Sequence, residues 1–184
     1  MGLPDLIKIS KMLSLVLRHK PESIGLAIDN EGWADVDLLL YSMNKKGFHL
    51  DLQLLQLVVE SNNKKRFAFN ADNTKIRASQ GHSIKVDLGY TPTIPPEVLF
   101  HGTAESSIQK ILPTGLLKMN RMHVHLSANI ETAIKVGQRK GKPAILEVDA
   151  QEMHAEGFTF FVSANGVWLT DQVPAKFITR CVTK

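Results

Sequence analysis

Arg18-His19-Lys20 sets two cations and a titratable ring in consecutive positions, and Lys64, Lys65, Arg66 and Arg77 follow further along the chain. Guanidinium is planar, always charged and bidentate, so arginines suit a phosphate dianion better than lysines do. A histidine beside them can donate a hydrogen bond or act as a general acid. On this reading Arg18 and Arg66 converge on one phosphate. The plainer reading makes Arg18-His19-Lys20 a basic helix end that complements the helix dipole, with the later cations on a solvated face.

Four further clusters carry polar chemistry. In Gln80-Gly81-His82-Ser83 the glycine would let the backbone approach a ligand closely, although a loop histidine is more often simply exposed. Phe100-His101-Gly102-Thr103 reads as the end of a strand, with Gly102 leaving backbone amides open to a flat polar ligand. His123 and His125 share one face of a strand, a spacing that could ligate a metal. No Cys pair and no His-Glu-x-x-His completes such a set, so no metal is expected. Gly137-Gln138-Arg139-Lys140-Gly141 is either a charged helix end or a turn that holds Arg139 over an anionic substrate. Neither G-x-x-x-x-G-K-[ST] nor G-x-G-x-x-G occurs, so a bound nucleotide would lie outside the P-loop and Rossmann schemes.

The elements that must position these groups follow from hydrophobic period and punctuation. Pro4 and Asp5 open a helix carrying Leu6, Ile9, Leu13, Val16 and Leu17 at helical spacing, and Pro21 lies just beyond it. Asp35 can cap a second helix with Val36, Leu39, Leu40 and Met43, stopped at Gly47. Asp51 can cap a third, with Leu54, Leu55, Val58 and Val59. The period then falls to two: Phe67 and Phe69 form a strand, Asp72-Asn73 a turn, and Ile76 a return strand. Gly89-Tyr90-Thr91-Pro92-Thr93-Ile94-Pro95-Pro96 reads as a stiff, extended linker, because proline fixes φ and removes a donor. Beyond it the pattern predicts strands over 98–100, 122–126, 144–148, 158–162 and 167–170, with a closing strand over 176–182. Helices are expected over 106–112 and from the cap Asn129 to about 138. Asn165-Gly166 is a hairpin signal between two of the strands. The expected organisation is α+β, with lobes at 1–88 and 97–184 joined by 89–96.

Hydrophobic residues form 43 % of the 184-residue chain, enough for a packed core. The net charge of +4 suits an anionic partner without requiring one. The single cysteine, Cys181, excludes an internal disulfide and has no activating pattern around it, so it reads as a core or edge residue. No run approaches the length of a membrane helix. The start of the chain does not resemble a secretory leader, and Gly2 is followed by Leu6 where myristoylation favours Ser or Thr. A cytoplasmic monomer is the expectation.

Taken in order, these segments resemble the NAD-dependent RNA 2′-phosphotransferases of the tRNA-splicing type. The likeness runs through Ser10-Lys11-x-Leu13-Ser14-x-x-Leu17-Arg18-His19-Lys20-Pro21-Glu22, Gly32-Trp33, Arg66-Phe67 and Ile76-Arg77-Ala78-x-Gln80-Gly81-His82-Ser83. It continues in Leu99-Phe100-His101-Gly102-Thr103, His123 to Ser127, and Val136-Gly137-x-Arg139 with Pro143. The resemblance implies an N-terminal winged-helix RNA lobe and a C-terminal lobe like the ADP-ribosyltransferases. It implies a catalytic set of Arg18, His19, Arg66 and Arg139, with Arg77 the competitor of Arg66. His101, Gly102, Thr103, His125 and Ser127 would bind NAD⁺ as co-substrate. Lys20, Lys65, Arg77, Gly81 and His82 would contact an RNA bearing an internal 2′-phosphate, such as a tRNA. In the implied chemistry the 2′-phosphate attacks C1″ of the nicotinamide ribose and nicotinamide leaves. The ribose O2″ then attacks phosphorus, giving 2′-OH RNA and ADP-ribose 1″,2″-cyclic phosphate.

Two rival functions fit parts of the pattern. An ADP-ribosyltransferase acting on protein or nucleic acid would share the NAD site and stop after the first step, but would have no use for the Arg18-His19-Arg66 set. A non-enzymatic winged-helix regulator would leave the C-terminal lobe without a role.

Overall fold

A computed structural model describes residues 3–181, side chains 3–5 and 140 excepted. Gly2 and Val182, which figured in the acylation and closing-strand readings, lie outside the described residues. The fold is mixed α/β with small antiparallel sheets, and the chain divides into two units, Met1–Gly89 and Tyr90–Lys184.

In the first unit, helix α1 (Leu3–Arg18) is followed by strand β1 (Trp33–Asp35), helices α2 (Val36–Lys45) and α3 (Leu52–Glu60), and strands β2 (Phe67–Phe69) and β3 (Lys75–Ala78). Asp35 and Asp51 cap α2 and α3 as their positions predict, accepting from the N–H groups of Leu38 and Leu54 at 2.9 and 2.8 Å. The apolar stripes then meet in one core, with Leu13, Leu17, Leu39, Leu55 and Ile76 fully buried. Each such side chain contributes about 1.5–3 kcal/mol of transfer free energy. The sheet has the order β1-β3-β2, so β3 is central. Ile76 and Ala78 face the core and Arg77 the other side, where it lies opposite Trp33.

The second unit holds β4 (Val98–Ala104), α4 (Ile108–Thr114), β5 (Leu116–Leu117), β6 (Val124–Leu126), α5 (Ile130–Gly137), β7 (Pro143–Asp149) and α6 (Ala150–Ala155). It ends with β8 (Phe160–Val162), β9 (Trp168–Thr170), β10 (Gln172–Val173) and β11 (Ile178–Cys181). Its sheets have the orders β11-β7-β4, β6-β9-β8 and β10-β5. Its core gathers Leu99, Leu146, Val148, Met153 and Phe160. Asn129 caps α5 by accepting from Thr132 N–H at 3.0 Å.

Several expectations are corrected. The strand read as ending at Phe100 continues to Ala104, so His101, Gly102 and Thr103 lie within it. Pro143 belongs to its strand rather than preceding it; it occupies the first position, where a missing donor is tolerated. Within 89–96, Pro92 bridges to Phe161, and Thr93 N–H donates to Phe160 O at 2.8 Å. No helix among the described residues is long and apolar enough to cross a membrane.

Candidate functional site

In the first unit the basic cluster is organised by the C-terminal end of α1. Ser83 N–H and Ile84 N–H both donate to the Arg18 carbonyl, at 2.9 and 3.3 Å, so the Gln80–Ser83 segment satisfies a carbonyl the helix leaves open. His19 Nδ1 lies 2.9 Å from Ser83 Oγ. Arg18 Nη2 reaches the Arg66 carbonyl at 3.4 Å, and the same carbonyl accepts from Ser79 N–H at 2.8 Å. Arg66 Nη1 points to Asn62 Oδ1 at 3.4 Å. Arg18, His19 and Arg66 are thus brought into one neighbourhood, with the Arg18 and Arg66 carbonyls and the Ser83 hydroxyl among the groups that join them.

Arg77 has partners of its own. Its guanidinium stacks over the Trp33 ring at 4.3 Å and donates to the Glu31 carbonyl at 3.2 Å. Of the two competitors, Arg66 is the one linked to Arg18. Lys20 and Lys65 are exposed, and Lys65 takes a left-handed backbone (φ 42°) in the turn that leads into Arg66. A groove of about 660 Å³ opens beside this turn, lined by Ser10, Lys11, Ser14, Asn62, Lys64 and Arg66 among others.

His82 lies in a loop, as read, but is buried at 1 % exposure where a loop histidine is more often exposed. Neither ring nitrogen has a hydrogen-bond partner. Burial first, then the neighbouring charges of Arg18, His19 and Arg77, pushes its pKa down to about 4. The ring is neutral at physiological pH. Gly32 sits beside it: a Cβ there would come within 3.7 Å of His82 Nε2 and 3.0 Å of Leu88.

In the second unit the Phe100 and Ser127 backbones exchange hydrogen bonds at 2.7 and 2.8 Å. Backbone groups alternate sides along a strand in antiparallel pairing. Gly102, two residues on from Phe100, therefore turns its N–H and C=O to the same edge, away from β7. Its other side is closed by α5, where a Cβ on Gly102 would fall 1.7 Å from the Ala133 carbonyl oxygen. Glycine is required here by close helix–strand approach.

His101 Nδ1 lies 3.0 Å from the His125 carbonyl. A carbonyl only accepts, so Nδ1 carries the proton and Nε2 is the acceptor when the ring is neutral. Burial lowers the His101 pKa and Arg121 lowers it further, while the carbonyl bond opposes them. His125 Nδ1 in turn sits 3.3 Å from Arg121 Nη1. Arg121 also feels the charge of Arg139, so the two cations lie in one region. Arg139 itself is exposed, in the 3-10 turn Gln138–Lys140 that follows α5. Sequence reasoning missed Arg121; it stands in a loop with no periodic signal, and its contact with His125 and the nearby charge of Arg139 mark it.

The remaining candidates have local duties. Ser127 Oγ donates to Asn129 O at 2.9 Å and accepts from Asn129 N–H at 3.1 Å, building the turn into α5. Thr103 pairs with Ala144 across the sheet. His123 packs edge-on against Tyr90 and Phe161. No group of three or more His, Cys, Asp or Glu residues gathers around a point among the described residues. The Cys181 thiol pKa is raised by burial and by Glu147, which disfavours the nucleophilic thiolate.

Residues 4–172 match the model of the RNA 2′-phosphotransferase, Tpt1 / KptA family. The chain is 58 % identical over 170 residues to a protein of Flavobacterium johnsoniae named "Probable RNA 2′-phosphotransferase", covering 92 % of this chain and 93 % of that one. Proteins with the same name from Pseudomonas aeruginosa and Fusobacterium nucleatum are 53 % and 50 % identical, over 92 % and 94 % of this chain and 93 % and 97 % of theirs.

Proposed function

Because this chain belongs to the RNA 2′-phosphotransferase (Tpt1 / KptA) family, we propose that it removes an internal 2′-phosphate from RNA, with NAD⁺ as the acceptor co-substrate. The observation that carries the reading is the Arg18–His19–Arg66 neighbourhood at the end of α1. Such a grouping suits a phosphate dianion. The helix, strand, helix, helix, strand, strand order of the first unit supports a winged-helix RNA lobe. The open Gly102 edge and the His101 acceptor nitrogen support an ADP-ribosyltransferase-like second lobe, with the Gly102 amide and carbonyl matching a nicotinamide carboxamide. The partner is a tRNA-like RNA, and the protein works as a cytoplasmic monomer.

NAD⁺ supplies an electrophilic ribose carbon with a neutral leaving group. The residues supply position and charge. Arg18, His19 and Arg66 bind the 2′-phosphate and orient one oxygen as nucleophile, an effective-concentration effect. His101 Nε2 can accept from a ribose hydroxyl, and Thr103 and Ser127 shape the strand and turn around that subsite. In the second step the ribose O2″ attacks phosphorus, the P–O2′ bond breaks, and the RNA oxygen takes up the proton that O2″ gives up. The arginines, Arg139 among them, neutralise charge on the transferring phosphoryl group, which is mostly an electrostatic contribution. Arg121 supports this by holding His125. Lys20 and Lys65 serve the flanking RNA backbone, and Arg77 braces the sheet through Trp33.

The test is a short RNA with one internal 2′-phosphate, incubated with and without NAD⁺ and weighed by mass spectrometry. Loss of one phosphate only when NAD⁺ is present is the expected result. Loss without NAD⁺, or no loss in either case, overturns the reading.

A further inference from the structure

Two histidines, one in each unit, use Nδ1 in chemically different ways. His101 Nδ1 meets a carbonyl at 3.0 Å, a partner that can only accept. His19 Nδ1 meets the Ser83 hydroxyl at 2.9 Å, and a hydroxyl can accept or donate by rotating its proton. The hydroxyl is held in place by its own backbone, since Ser83 N–H donates to the Arg18 carbonyl at 2.9 Å and Ile84 N–H to the same oxygen at 3.3 Å. The residue before it, His82, is buried at 1 % exposure and anchors the segment beneath the surface.

We propose that Ser83 is a positioning residue for His19: its hydroxyl donates to Nδ1 of the neutral ring and accepts from Nδ1–H of the charged ring, so the imidazole keeps one orientation as its charge changes. The catalytic consequence rests on the phosphate-transfer reading above; the contact does not.

The chemistry explains why a hydroxyl serves here better than a carbonyl. A carbonyl partner would demand Nδ1–H and leave neutral His19 with a lone pair on Nε2, which repels a phosphate oxygen. A donating hydroxyl stabilises the opposite tautomer, with the proton on Nε2, where it can be given to a phosphate oxygen. If the ring does gain a second proton, the serine reverses its role and the hydrogen bond persists. Which ring nitrogen of a histidine carries the proton is set by the hydrogen bond that the other nitrogen makes.

Two readouts separate the contact from its use. In protein labelled with ¹⁵N-histidine, multiple-bond ¹H–¹⁵N spectra report the tautomer of His19 without any substrate, with His19 assigned by its loss in His19→Asn. At a pH where the ring is neutral, the wild-type protein should show the Nε2–H tautomer. Ser83→Ala should show a mixture, and Ser83→Thr should restore the single form. With 2′-phosphorylated RNA, Ser83→Ala should slow single-turnover phosphate removal about tenfold or more and shift its pH profile. Ser83→Thr should recover most of the rate, and the KM for NAD⁺ should stay unchanged. A Ser83→Ala protein with wild-type His19 signals overturns the contact. Altered signals with a wild-type rate and pH profile overturn its catalytic use. An inactive wild-type protein would refute the phosphotransferase reading, and the spectra would still decide the contact.

Discussion

Acidification should destabilise the first unit through one residue, His82. Its ring is buried at 1 % exposure, has no hydrogen-bond partner on either nitrogen, and is held to a pKa of about 4 by burial and by Arg18, His19 and Arg77. In the unfolded chain the same group titrates near 6.5. Between these values the unfolded chain binds a proton that the folded chain refuses. Stability therefore rises with pH across this window and is lost as the solution is acidified through it. At about 1.4 kcal/mol per decade the full loss is about 3 kcal/mol, of which about 2 kcal/mol is already gone at about pH 5. His82→Leu removes the titration and two unsatisfied nitrogens while filling a similar volume. At neutral pH it should be neutral or stabilising, because no hydrogen bond is lost. Urea unfolding of both proteins, followed by tryptophan fluorescence at about pH 7.5 and about pH 5, measures the difference. The wild-type protein should lose about 2 kcal/mol more than His82→Leu between the two conditions. Parallel losses would refute the argument and show that the ring reaches solvent or a partner.

Three other outcomes follow from the same geometry. Arg66→Ala should lower the rate of phosphate removal about 10²-fold, with NAD⁺ binding retained, because a cation that neutralises the transferring group is lost. Arg77→Ala, whose guanidinium lies 4.3 Å from the Trp33 ring, should instead cost about 1 kcal/mol of stability in a thermal melt and little rate. Gly102→Ala should destabilise the second unit by about 3 kcal/mol, since its Cβ would fall 1.7 Å from the Ala133 carbonyl oxygen, and a lower melting temperature would register it.

Local rules with a single physical cause were legible in the sequence. The caps Asp35, Asp51 and Asn129 were identifiable because each carries a short acceptor immediately before an apolar helical stripe. The hairpin at Asn165-Gly166 was visible from composition, and Gly166 takes the left-handed backbone (φ 77°) a turn needs. Strand β1 escaped notice because three residues are too few to show alternation, and its pairing partner lies some forty positions away on β3. Strand β4 seemed to end at Phe100 because His101, Gly102 and Thr103 break the apolar pattern; the edge position and the close approach of α5 explain that break. Within the candidate site, the types and order of Arg18, His19 and Arg66 were readable, but the contacts that orient them were not. The Ser83 hydroxyl on His19 joins residues 64 positions apart, and neither the burial of His82 nor the contact of Arg121 with His125, four residues along an irregular loop, follows from any periodic spacing.

The central claim is that the phosphate leaves RNA by transfer to the ribose of NAD⁺, and the small-molecule products test it most directly. Chromatography and mass analysis of one incubation should show nicotinamide and ADP-ribose 1″,2″-cyclic phosphate, each equal in amount to the 2′-OH RNA formed. Inorganic phosphate in place of the cyclic phosphate, or RNA that keeps a stable ADP-ribosyl group, would contradict the account.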